Sequence, residues 1–104
     1  MLEAVRNVWT GRAVLLLTES NPERDKGFIG AFCSFACAAE NLVEAITLLD
    51  RELKESGYLV VGLEDAVMVQ MLDRPLTDYE KELVEATKAY PVQFKSVHLH
   101  KGDA

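Results

Sequence analysis

The chain has 104 residues, 49% apolar and 27% charged, with eleven Lys and Arg against seventeen Asp and Glu for a net charge of −6. That length builds one core, so one α+β domain is expected over Met1–Ala104, and the balanced composition excludes disorder as the default state. An acidic chain repels phosphate backbones, which argues against a nucleic-acid partner.

Met1–Arg12 carries Glu3 and Arg6 and lacks the basic start, apolar centre and cleavage site of a secretory signal. Arg12–Glu19 contains Ala-Val-Leu-Leu-Leu, a short apolar run that reads as a strand buried on both faces. Ser20–Gly27 is polar and holds Pro22 and Gly27, which suits a connector between antiparallel strands. Phe28–Ala39 fits two patterns. Phe28, Phe32, Phe35 and Ala39 continue in heptad spacing into Leu42, Ile46, Leu49 and Leu53, as one long helix would. Asn41 and Glu44 form a helix-start signal that a continuous helix would waste, and this favours a strand. The thirteen uncharged residues Gly27–Ala39 fall short of the roughly 20 needed to span a bilayer, so no membrane association is expected.

A helix is predicted over Leu42–Ser56, with Leu42, Ile46, Leu49 and Leu53 in one stripe and Gly57 as its left-handed stop. Tyr58–Met71 reads as a long strand with Leu59, Val61, Leu63, Val67, Val69 and Met71 on its main apolar face and a bend near Glu64-Asp65. A second helix is predicted over Asp78–Ala89, started by a Thr77/Glu80 capping box and stopped by Pro91, with a thin stripe of Tyr79, Leu83, Ala86 and Tyr90. Val92–Leu99 is the last strand, and its shifting apolar phase implies a bulge around Ser96. The acidity concentrates on helix outer faces: Glu40–Gly57 sums to −3 and Pro75–Pro91 to −2. The order β-β-α-β-α-β then predicts a two-layer sandwich, a four-stranded and mainly antiparallel sheet with two helices on one face. In architecture it resembles the ferredoxin-like class, which hosts many unrelated functions.

Few residues point to chemistry. Cys33 and Cys37 on a strand stand about 13 Å apart, beyond disulfide reach, and read as buried small apolar residues. Two cysteines make no disulfide framework, so a reducing, cytoplasmic setting is expected. His98 and His100 share one strand face but supply two ligands where zinc wants three or four, so neither a metal nor a cofactor is expected. Glu64 and Asp65 point to opposite faces of a regular strand and so cannot act as an acid–base pair; a bulge that turned both one way would make a like-charge pair.

The surplus of apolar strand residues is the functional signal, because two helices on one face leave the other bare. A non-enzymatic interaction or regulatory module follows, a homodimer through the open sheet face, with Phe28, Phe32, Tyr58, Val60 and Met68 as its interface. The alternatives are an acidic immunity- or antitoxin-like inhibitor of a basic protein, and a small ligand binder or enzyme with a cleft beside Ser20–Gly27.

Overall fold

A computed structural model describes residues 7–101, and the Met1–Arg6 part of the segment read for a targeting signal lies outside them. Strands β1 (Asn7–Leu17) and β2 (Phe28–Ala39) precede helix α1 (Leu42–Glu55), strand β3 (Tyr58–Met68), helix α2 (Asp78–Ala86) and strand β4 (Val92–Lys101). The heptad-like spacing from Phe28 onward therefore does not make one helix. Asn41 adopts extended backbone and its side chain accepts a hydrogen bond from the Glu44 amide at 2.9 Å, so α1 starts where the capping signal stands.

β1 and β2 pair without a register break from Asn7↔Ala39 to Leu16↔Gly30. The connector between them closes as a 3-10 turn, Pro22–Lys26, capped by the Asn21 side chain and ended by Gly27 in the left-handed region. Asn21 is buried and bonded at both ends of its amide: its carbonyl oxygen accepts from Glu23 N, and its NH2 group donates to Gly57 O at 3.0 Å. Gly57 has φ 88°, so the turn that ends α1 is one a residue with a Cβ resists, and Asn21 packs where that Cβ would go.

The sheet order is β3-β1-β2-β4, antiparallel throughout, with the N-terminal hairpin in the middle. This overturns the ferredoxin-like expectation. That class orders its elements β-α-β-β-α-β, with its hairpin in mid-chain, whereas here the hairpin comes first and each later strand adds to one side of it. β2 and β3 run parallel on either side of β1, with α1 as the crossover between them. β3 ends and β4 begins at the same end of the sheet, where Met68 pairs with Trp9 and Val92 with Cys37. The segment joining these two strands thus has only to pass from one edge of the sheet to the other at that end.

The placement of two helices on one face is corrected as well. Ala45, Leu49 and Leu53 of α1 pack with Ala13, Leu15, Leu17, Ala31, Cys33, Phe35, Cys37 and Ala39 in one buried cluster. Small side chains at Ala13, Ala31, Cys33 and Cys37 let the helix backbone come close; the Cys37 thiol lies 3.9 Å from Ala45 O. α2 is held instead by Gln93, which donates to Ala86 O and Tyr90 O, and by Lys95, which pairs with Glu82. Gln93 sits opposite Ala36 and Lys95 opposite Ser34, and these alternate with Cys37 and Phe35, so they occupy the other face. There α2 covers the buried Ala36 and Thr10 with Leu83 and Thr87. The Thr10 hydroxyl, shut off from water, donates to Phe35 O at 3.1 Å.

Both expected irregularities are present. Asp65 has φ 55°, and the β1–β3 register shifts between Thr10 and Arg12. The β2–β4 register shifts between Phe32 and Ser34, opposite the segment 95–98. The residues predicted as strand at 69–71 form a 3-10 turn.

Truncating a core residue leaves a cavity the neighbours fill incompletely, so Leu49→Ala should cost about 2–5 kcal/mol in urea unfolding. The capping box of α2 is linked to pH. Hydrogen bonds from Arg74, then from the Thr77 amide, hold the Glu80 carboxyl down at about 2, against an ordinary 4.5. A depressed folded value contributes stability that is complete above pH 4.5 and lost as pH falls toward 2. The stability advantage of wild type over Glu80→Gln should therefore shrink across that window, measured as urea midpoints.

Candidate functional site: the uncovered half of the sheet

α2 is nine residues long and shields one end of its face, leaving the rest open. The strand registers arrange the open part as three rows across the sheet. A charged row runs Glu64–Arg12–Ser34–Lys95, an aromatic row Gly62–Val14–Phe32–His98, and an apolar row Leu59–Leu16–Gly30–His100.

The rows are tied together by Arg12 and Phe32. Arg12 Nε donates to Glu64 Oε1 at 2.8 Å, and its guanidinium lies 5.1 Å from the centre of the Phe32 ring. The His100 ring stacks on Phe32 with centroids 5.1 Å apart and planes 30° apart. His100 reaches that position by lying over Gly30, where a Cβ would collide with the imidazole. Arg12, Phe32, Ser34 and His98 then border a hollow of about 240 Å³, with Cys33 in its wall.

Beyond the apolar row, Leu16, Leu17, Ile29 and Leu59 line an open hollow of about 530 Å³ with Glu19 and Arg24 at its rim. Leu16 and Ile29 are each 46% exposed and Leu59 37%. Three large apolar side chains left in water beside a closed core form a patch that a monomer gains nothing by displaying.

The structure redistributes the residues expected to form the interface. Phe28, Tyr58 and Val60 pack against the core on the α1 side. Met68 pairs with Trp9, which also packs on that core. Phe32 alone of the five lies on the open face. Leu16, Leu59 and Arg12 lie on that face as well, and Ile29 borders the hollow beside them. In β3 both alternating sets are apolar, so hydrophobicity does not say which set faces the helix. Pairing decides: Leu59 lies opposite Leu16, whose neighbours Leu15 and Leu17 are buried.

Cys33 and Cys37 are buried and are not joined in a disulfide. Among the described residues no group of three or more His, Cys, Asp and Glu could hold a metal ion, and no helix is long and apolar enough to cross a membrane. Glu64, the carboxylate on the open rows, is engaged by Arg12, so the face offers contact area, a cation–π column and hydrogen-bond donors. No family model matches this chain, and no curated protein or solved structure resembles it closely enough to count as a match.

Burial pushes the Cys33 thiol up to about 11, which leaves almost no thiolate at neutral pH. Native protein should therefore resist a thiol-labelling reagent at Cys33 and Cys37 and react at both after unfolding, as read by mass spectrometry.

Proposed function

We propose that this chain is a non-enzymatic interaction module that pairs with a second copy of itself through the open half of the sheet. The observation that carries this reading is the contiguous Leu16, Ile29 and Leu59 surface beside Phe32, apolar and half exposed on a face whose other end α2 has closed. Covering it removes apolar area from water at roughly 25 cal/mol per Å².

Charge favours a second copy over a basic partner. The open face carries its charges in opposite-sign sets, Arg12 with Glu64, Lys95 with Glu82, and Glu19 across from Arg24. The acidic excess of α1, with Glu44, Asp50, Glu52 and Glu55, belongs to the other side of the sheet. An inhibitor of a cationic enzyme would rim its docking face with carboxylates. A surface of balanced sign can meet its own copy without like-charge repulsion, as an isologous interface requires. Two buried cysteines not joined in a disulfide support a reducing, cytoplasmic setting for the assembly.

Sedimentation velocity at micromolar concentration should show a dimer. Leu16→Asp should keep the wild-type circular dichroism and weaken the dimer about 30-fold or more, the ~2 kcal/mol of a central interface residue. A wild-type chain that stays monomeric at high micromolar concentration, or an undiminished dimer in Leu16→Asp, overturns the reading.

A further inference from the structure

The two histidines stand on the face assigned to self-association, on its β4 edge, and have no part in folding the core. We propose that they make the pairing pH-dependent, so that the dimer forms near neutrality and weakens on mild acidification; this rests on the homodimer reading above.

Geometry places the histidines in the contact. α2 projects from one end of the open face, over the row of Thr10, Ala36 and Gln93. Two copies facing each other with strands parallel would bring both α2 helices into the same space. With strands antiparallel, each helix clears the sheet of its partner, and the twofold axis crosses near the aromatic row. β4 then faces β4: His98 approaches the same residue of the second copy, and the His100 end of one strand lies toward the Lys95 end of the other. The Arg12–Glu64 ion pair enters the contact as a neutral unit, the form in which charge is least costly to cover.

The charged and titratable groups around the histidines decide the sign. Arg12 of β1 and Lys95 of β4 are positive, while Lys101 lies over Phe28 on the α1 side. Glu64 of β3 is engaged by Arg12, and Glu82 of α2 by Lys95. Glu19 and Arg24, of opposite sign, both border the far hollow, and the Cys33 side chain belongs to the core on the α1 face. Among the described residues of this face, the carboxylates nearest the histidines, Glu64 and Glu82, already have cationic partners. Protonation therefore adds up to four positive charges to a surface that pairing dries, and it sets like charges together at His98–His98 and at His100–Lys95. Proton uptake favours the separated copies, where water solvates the charge, so the dimer weakens as pH falls.

Two effects oppose this and are smaller. Protonating both histidines reduces the net charge from −6 to −4 and so eases general repulsion. That repulsion acts across whole molecules, however, and is screened beyond about 8 Å at physiological ionic strength. An imidazolium at His100 also gains from the Phe32 ring, but it does so in the single chain as well as in the pair, so the gain cancels.

The test is sedimentation equilibrium of the full chain at about pH 7.5 and about pH 5.5, a range in which imidazole is the ordinary side chain that changes charge. The dimer dissociation constant should rise at least about tenfold over these two pH units, the effect of about half a proton taken up on average. The His98→Gln/His100→Gln variant should dimerise at both values and lose that dependence. A wild-type dimer equally tight at both values, or a double variant that keeps the full response, overturns the pH inference and leaves the homodimer standing. A wild-type chain monomeric at about pH 7.5 overturns both.

Discussion

The unbroken pairing of β1 with β2 is the constraint on which everything else in this molecule hangs. Nine of the fourteen buried apolar residues among those described belong to these two strands. Their register from Asn7↔Ala39 to Leu16↔Gly30 has no shift, whereas both outer strands join the hairpin through bulges. A slip of one residue in the hairpin would turn the inner set of one strand, Ala13 and Leu15 or Phe35 and Cys37, away from α1 and put Arg12 or Ser34 in its place. Small residues at the centre of the inner face then let α1 approach until helix backbone and sheet side chains touch.

The hairpin's central position also explains why both faces of the sheet carry apolar residues. Central strands have neighbours on both sides, and each face needs cover. α1 spans one face as the crossover between β2 and β3. The link from β3 to β4 passes from edge to edge at one end of the sheet, so the nine-residue α2 can roof one end of the second face. Thr10 and Ala36 lie beneath that roof and are buried; Leu16 and Leu59 lie beyond it and are exposed. The uncovered region is thus a consequence of chain connectivity, and Arg12, Phe32 and His100 give it a fixed internal order.

Side-chain charges follow the same division. Carboxylates gather on α1 and at the start of α2, where they meet solvent and helix N-terminal amides, as Glu80 does with Thr77 and Arg74. On the open face Arg12 pairs with Glu64 and lies over the Phe32 ring, and Lys95 pairs with Glu82. That leaves the open face close to balanced in sign, with His98 and His100 along its β4 edge.

Local pattern sufficed for elements whose signals lie within a few residues. Asn41 with Glu44, and Thr77 with Glu80, marked both helix starts because capping is a contact between near neighbours. The bends at Asp65 and near Ser96 showed in the phase of apolar alternation, which a bulge resets. Tertiary structure decided the order of the strands, the side on which α2 lies and the membership of the open face. Those depend on pairing between distant segments, and where both alternating sets of a strand are apolar, as in Tyr58–Leu63, composition is the same for either orientation. Phe28, Tyr58 and Val60 went to the core and Leu16, Ile29 and Leu59 to water because of what each strand was paired against, a property that no residue carries by itself.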